Sequence, residues 1–502
     1  MSLIYWSIIT DRCMLRSVIL FDGALPNTKK EERLRRMRQN IQQMSKFRSP
    51  FNSSECALPR QIGSTLYPLL APALKERLSK SKYEQVTVPG EADDWCAACA
   101  NESRRSIVFT NDTDLMLYEY SQEPYIIFFR DLDLSLPNFN INWIYSPTKI
   151  RNRLKLNSLI SLAYAIYKNP TRSFSENIHQ AKSVDLDSTQ YLGFSRRYTS
   201  LRKLTEANEQ FRPAALRITL QSLDVRVSEL VHQALAPGSL VPDVYLPLFF
   251  EDCNQASAWI QKDVRLLAYS LVVSPSVKII CEYTRKGQSL KATELQVPSQ
   301  KQLMVSATEI TSIVQRRFKY EQVRQEAASS SAGIARRDSI LLAVQLALRE
   351  IKAPHTSLLS RVLDDHFDNT WSFIQLQATL QATLYSLRLL EQSTSVWLAL
   401  NGECSNFHST IEQLHSGLSE MPGITDLFSV PGQRLRRLGD GASTRKAIKD
   451  LYASAGVHDA TLFEEPKSKS QKKREKRARK SQQCQTNEIP QQSGNNPFSL
   501  LN

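Results

Sequence analysis

Three short apolar runs in this chain each end in acidic residues, and carboxylates gathered in that way can hold hard divalent cations. Asp22 follows Ser17–Phe21 (SVILF) in the string FDGALP. Glu91 and Asp93 follow Gln85–Val88 (QVTV) and a Pro89-Gly90 turn in VPGEADD. Asp112 and Asp114 follow Ser106–Thr110 (SIVFT) in TNDTDLMLY. Runs of this composition read as strands. In an open parallel sheet the carboxyl ends of the strands share one edge, and that edge is where ligands bind. If Asp112 and Asp114 continue the extended backbone, two-residue alternation puts both carboxylates on one side. Glu91 and Asp93 diverge within a helix, so they converge only at its entry, where Pro89-Gly90 place them. Carboxylates gathered in one place repel one another unless cations lie between them, and oxygen donors suit Mg²⁺ or Mn²⁺. Two such ions about 4 Å apart activate a water and stabilise the leaving oxygen of a phosphodiester. The plainer role for these residues is as N-caps and turn formers, which Asp commonly provides. Three clusters on one edge favour the metal site over that role.

A second group of residues points to phosphate. Thr28–Met44 reads as a helix with Leu34, Met37, Ile41 and Met44 on one stripe. Lys29, Arg33 and Arg36, at i, i+4 and i+7, form a basic row on another face. Most charged helix faces are merely solvated, but this one is rooted beside Asp22, where it could grip a phosphate and bind DNA. No other enzyme chemistry competes. The seven histidines lie outside the acidic clusters, without H-x-x-H or H-E-x-x-H spacing, and there is no G-x-S-x-G, P-loop or G-x-G-x-x-G string. Cys96 and Cys99 form a C-x-x-C, but no second pair follows at zinc-site spacing, so the pair reads as helix packing.

The elements that must position these groups follow from periodicity and breakers. A fourth strand-like run is Tyr125–Phe129 (YIIFF), and helical patterns between the runs favour a parallel sheet with crossover helices. Residues 1–195 therefore read as an α/β domain. From about Leu201 the pattern becomes mainly α-helical through 200–465, as in Ser339–Lys352 and Gln375–Leu400. One interruption reads as a β-hairpin within 277–297, Val277–Arg285 and Ser289–Val297 around Lys286-Gly287-Gln288. Residues 466–502 lose apolar periodicity and read as a disordered basic tail.

The chain has 502 residues and a formal net charge of +14. Residues 467–480 hold nine Lys or Arg against one Glu, which leaves the body only mildly basic at +6. Such a tail suits nuclear import or loose phosphate binding, or serves only solubility. The expected location is the nucleus. No run approaches the ~18 apolar residues that a membrane span needs. The opening MSLIYWSIIT lacks the basic flank of a secretion signal, and the eight scattered cysteines read as intracellular thiols.

Together these strings resemble the flap-endonuclease/XPG nuclease superfamily, and within it the asteroid-like branch. VILFDGALPNTKKEERLRRM is similar to the end of that family's N-terminal block, and VPGEADDWCAACANES with SIVFTNDTDLMLY to its internal block. The resemblance implies a PIN-like parallel-sheet domain in which Asp22, Glu91, Asp93, Asp112 and Asp114 are catalytic metal-site carboxylates. It places Lys29 and Arg36 on the family's basic gateway helix, which handles the scissile phosphate. VYLPLFFED, SAWIQKDVRLLAYSLV and EYTRKGQSL are similar to the asteroid-type C-terminal half.

Two departures carry expectations of their own. Family members open with a strand bearing a further catalytic Asp, several dozen residues before the FDG strand. Here only Asp11 precedes Asp22, so the resemblance implies a missing first strand and a gap in the sheet. Where the family has its helix–turn–helix DNA element and last catalytic Asp, this chain has LNSLISLAYAIYKNPTRSF, with Asn169 or Lys168 at the acid's position. The expected function is a Mg²⁺- or Mn²⁺-dependent, structure-selective endonuclease or exonuclease in DNA repair. It would use two ions if the site is complete, on branched or flapped DNA, with RNA left open. The alternative is a catalytically inactive scaffold of the same fold that binds nucleic acid or protein.

Overall fold

A computed structural model describes residues 16–48, 68–133, 140–199, 214–235, 241–322, 331–364, 366–401, 406–427 and 441–463. The basic segment 467–480 lies outside the described residues, as does Asp11.

The four apolar runs are strands: β1 (Val18–Phe21), β2 (Glu84–Thr87), β3 (Ile107–Thr110) and β4 (Tyr125–Phe128). β1 runs parallel to β2 with Phe21 beside Thr87, and β3 runs parallel to β4 with Thr110 beside Phe128. The expected single parallel sheet is corrected in one respect. Among the described residues the strands form two parallel pairs, with no ladder between β1 and β3. Between β1 and β2 the chain forms a short 3-10 turn (Asn27–Lys29), then α1 (Lys30–Arg48) and α2 (Leu70–Ser79). The connection from β2 to β3 is α3 (Ala92–Glu102), which packs against both β1 and β3 and so joins the two pairs.

Next come short strands β5 (Leu132–Asp133) and β6 (Asn140–Ile141), then helices α4 (Pro147–Leu154), α5 (Leu159–Lys168), α6 (Phe174–Lys182) and α7 (Thr189–Thr199). Three of these helices start at side-chain caps: Ser146, Ser158 and Ser173 each accept a hydrogen bond from a backbone N–H of the first turn. Tyr191 and Tyr198 of α7, with Ile160 of α5, close the core over Ala97, Ala100, Val108, Leu115 and Ile126.

The rest is mainly helical. It comprises α8 (Ala214–Ser222), α9 (Val225–Leu235), strand β7 (Asp243–Tyr245), α10 (Lys262–Val272), strands β8 (Ile279–Lys286) and β9 (Ser289–Gln296), and then helices α11 (Gln300–Gln322) to α17 (Gly441–Ser454). The hairpin is where the sequence puts it, turning at Gly287 with φ +59°, a left-handed conformation that favours glycine. β7 adds a parallel strand to β8, making a sheet of three. The helix expected to end at Lys352 ends at Ala347, and the one expected from Gln375 begins at Trp371, where Thr370 caps it. That helix, α14 (Trp371–Leu400), is buried along most of its length, with Arg388 and Glu391 on its partly covered side. Its interior hydroxyls stay satisfied because Thr379, Thr383 and Ser386 each donate to the carbonyl four residues back.

The expected apolar stripe of the first helix finds its partner here. Leu34, Ile41 and Met44 are buried, and Leu34 with Met37 packs against Tyr245 of β7 and Tyr283 of β8. The helix begins at Lys30 rather than Thr28, so Lys29 sits in the 3-10 turn and the basic row loses its first member.

Candidate functional site

The FDG and VPGE strings meet backbone to backbone. Gly23 N–H donates to the carbonyl of Gly90 at 2.8 Å, and Ala24 N–H to that of Pro89 at 3.0 Å. A β-carbon on Gly23 would lie 2.0 Å from the Val88 carbonyl oxygen, so only glycine allows this approach. The contact sets Asp22 at the N-terminus of α3, where its Oδ1 accepts from Ala92 N–H at 2.7 Å. Glu91 is the N-cap residue of α3, and Asp93 and Asp94 lie in its first turn. Carboxylates are favoured there by the unpaired N–H groups and the helix dipole.

The third cluster is built differently from its expectation. Asp112 caps a 3-10 turn (Thr113–Met116), and its side chain accepts from Asp114 N–H at 2.9 Å. The backbone has therefore left the extended conformation by Asp114, and two-residue alternation does not align the pair. The two carboxylates still face the cleft at the α3 entry. Asp93 is pushed up to about 7 by burial, then by the negative charge of Asp112 and of Asp22, against the opposing pull of Arg197 and Lys29. One carboxyl thus feels the charges at the other two strand ends.

Arg197, on α7, enters that cleft, and nothing in the sequence pattern singles it out. Its Nη2 lies 2.8 Å from Glu91 Oε2 and 3.6 Å from Asp93 Oδ2; its Nε lies 3.1 Å from Asp94 Oδ1, and its Nη1 3.6 Å from Asp114 Oδ2. Burial disfavours its charge, but Tyr118, Glu91 and Asp94 outweigh that and leave its pKa raised. Tyr118 OH donates to Asp94, and Tyr198 OH donates to Asp114 at 3.2 Å. The two rings meet edge-on with centroids 5.3 Å apart. Asp94, Tyr118, Arg197 and Tyr198 are thus site residues that sequence reasoning missed. The only signal for the last two is the placement of Tyr191, Ser195 and Tyr198 along one buried face of a helix, with Arg197 at its margin.

The basic residues separate. Lys29 Nζ lies 2.5 Å from Glu91 Oε1. Arg33 makes two hydrogen bonds to Glu229 at 2.9 and 3.1 Å and lies over the Tyr245 ring at 4.7 Å. Lys30, unremarked in the sequence, pairs with Asp243 at 2.8 Å beside the Tyr283 ring. These two pairs dock α1 on α9 and on the β7 strand. Arg36 stays on the surface with its side chain 72% exposed, paired only to Glu32 of its own helix. Asn169 caps the end of α5, where its Oδ1 accepts from Thr171, while Lys168 reaches Gln190; neither makes a recorded contact with the acidic cleft.

The donor set can be tested against a divalent cation. Among the described residues, no three Asp, Glu, His or Cys side chains already converge on one point. Glu91, Asp94 and Asp114 are held by Arg197. By contrast, the recorded donors to Asp22 and Asp112 are backbone N–H groups. Asp22 and Asp112, with Asp93, are oxygen donors of the kind that suits Mg²⁺ or Mn²⁺, although they do not converge on one point in this structure. Cys96 is not a competing ligand: burial, then Asp93, pushes its thiol up to about 12. Cys96 packs against the core below α3, whereas Cys99 is exposed, so the expected packing role holds for only one of the pair.

Residues 66–297 match the family model described as XPG domain containing. The match begins before α2, includes the Glu91, Asp93, Asp112 and Asp114 clusters with Arg197, and ends one residue after the hairpin. No curated protein and no solved structure matches the chain.

Proposed function

We propose, from the match of residues 66–297 to the XPG-domain family model, that this protein is a metal-dependent, structure-selective nuclease acting on branched or flapped DNA. The observation that carries the reading is that Asp22 is fixed at the α3 entry beside Glu91 and Asp93 by Ala92 N–H and the Gly23–Gly90 contact, while Glu91 and Asp114 share Arg197. Asp22, Asp93 and Asp112 are the residues that would hold Mg²⁺ or Mn²⁺, with Glu91 and Asp114 alongside. When bound, such an ion polarises a phosphodiester and lowers the pKa of water. The chain's own groups orient the substrate. Lys29, at the mouth of the cleft, and Arg36, out on α1, meet backbone phosphates, while Arg33 fixes the angle of α1 through Glu229.

The test is cleavage of forked and flapped DNA by the purified chain. Weak, Mn²⁺- or Mg²⁺-dependent cutting is expected. The second reading, an inactive scaffold of the same fold, is favoured by Arg197 among the acids and by the lack of any recorded contact between Asn169 and the cleft. A folded protein that binds branched DNA and never cuts it would decide for the scaffold.

Phosphate contacts release counterions, so each one steepens the salt dependence of binding. Replacing Lys29 and Arg36 together with alanine should weaken binding to branched DNA. It should also lower the slope of log affinity against log salt by roughly two. Fluorescence anisotropy across a salt series reads both, and an unchanged slope would return the two cations to solvated surface.

We place the protein in the nucleus on the strength of the basic segment 467–480. Deleting that segment should move a tagged protein to the cytoplasm with its thermal midpoint unchanged. Nuclear retention of the truncated chain would refute the assignment.

A further inference from the structure

Two of the acidic clusters stand on opposite sides of a break in the sheet. Among the described residues β1 ladders with β2 and β3 with β4, and no ladder joins one pair to the other. Glu91 lies past the end of β2, at the entry to α3, and Asp114 lies past the end of β3. Arg197 spans the break. Its Nη2 is 2.8 Å from Glu91 Oε2 and its Nη1 is 3.6 Å from Asp114 Oδ2. The same guanidinium reaches Asp93 at 3.6 Å and Asp94 at 3.1 Å, both in the first turn of α3. Among the described residues no other recorded ion pair joins the end of β2 to the end of β3. The helix that carries Arg197 is itself fixed. Tyr191 and Tyr198 are buried with Ala97 and Leu115, and Glu119 N–H donates to the Tyr198 carbonyl at 3.1 Å.

We propose that Arg197 is a positioning residue of the cleft, whose guanidinium fork sets Glu91 against Asp114 across the break in the sheet. The proposal deepens the nuclease reading and rests on it for the use of the cleft. A planar guanidinium offers five N–H donors in fixed directions, so one side chain holds several carboxylates at set angles. A lysine ammonium is a compact point charge without that fork. Charge-assisted hydrogen bonds to carboxylates are the strong ones, and no strand ladder shares the load here. Losing the fork should therefore loosen the start of α3 and the turn after β3 relative to each other. A displacement of about 1 Å in such groups costs roughly a hundredfold in rate.

Hydrogen exchange on the intact, metal-free chain tests this in the parent, Arg197→Met and Arg197→Lys. Residues 91–95 and 112–119 should exchange roughly tenfold faster in Arg197→Met, while α14 keeps its parent rates. Arg197→Lys keeps the charge without the fork and should loosen the same two segments by roughly threefold or more. It gives the readout if the methionine variant does not fold. Parent rates in the lysine variant, or equal acceleration in α14, overturn the positioning role. Cleavage of forked DNA supplies the second arm. In Arg197→Lys kcat should fall, with KM and the salt dependence of binding unchanged. A raised KM with a shallower salt slope would make Arg197 a phosphate contact and overturn the proposal. A parent chain that never cuts DNA removes the nuclease reading, and the exchange rates alone then decide the role of Arg197.

Discussion

Replacing Asp112 and Asp114 together with alanine should cut Mn²⁺-dependent cleavage of forked DNA by about a thousandfold. An ion held at a phosphodiester contributes several kcal/mol to the transition state, and each 1.36 kcal/mol is tenfold in rate. On the proposed reading Asp112 is one of the carboxylates that would hold the ion. Asp114 is tied to Tyr198 and close to Arg197, so losing it also releases part of the opposite wall. The fold should survive, because both residues lie on a surface 3-10 turn and Leu115 anchors that turn in the core. Circular dichroism and a thermal melt of the double variant check that point. A double variant that cuts at the parent rate would remove these carboxylates from the chemistry.

The largest effect on stability should come from the helical half. Arg285 on β8 is fully buried and pairs with Glu251, which is also buried, at 2.6 Å. Its remaining N–H groups donate to the carbonyls of Asp252, Cys253, Gln255, Ala256 and Gly287. One side chain thereby ties the loop after Phe250 to the hairpin. Arg285→Met leaves five carbonyls without this donor and the buried Glu251 charge with only the Ala258 N–H. Breaking a buried pair by removing one partner costs about 3–5 kcal/mol. The exposed pair Arg349–Glu309 provides the contrast, since surface pairs contribute about 0–1 kcal/mol. Urea unfolding of Arg285→Met and Arg349→Met measures the difference. Equal, small losses would show that the Arg285 network contributes no more than a surface pair. Replacing Glu251 by leucine as well should recover part of the loss, because the stranded charge goes with it.

Local signals made the acidic clusters legible in the sequence. Each apolar run is a strand to within about a residue at either end, and Asp22, Glu91 and Asp112 fall where the strands stop. Gly23 was readable only as part of a string, and the structure gives the reason: the β-carbon of any other residue would meet the Val88 carbonyl. The stripe of Leu34, Ile41 and Met44 was readable from helical spacing, but its partner sheet at Tyr245 and Tyr283 was not. Arg33 shows the same limit. Its spacing from Lys29 suggests a phosphate row, whereas its partner Glu229 lies 196 positions away and leaves no mark on the local pattern.

Long-range ion pairs are the general case of what spacing cannot show. Arg197 lies 103 positions from Asp94, and in the sequence it is one arginine of an ordinary amphipathic helix. Asp112 and Asp114 fail for a local reason instead. An Asp that can accept a hydrogen bond from the N–H two residues on competes with extended backbone, and here the turn wins. The break between the two strand pairs is a third kind of departure. Periodicity identifies strands, but it does not say which ones become neighbours.

The central claim, that this cleft is a divalent-metal site, is tested most directly by Mn²⁺ binding to the intact chain. Calorimetry on the parent protein should give saturable uptake, and the Asp112→Ala, Asp114→Ala double variant should show that uptake lost or at least tenfold weaker. A folded parent protein that takes up no Mn²⁺, or a double variant that binds it as well as the parent does, would contradict the account.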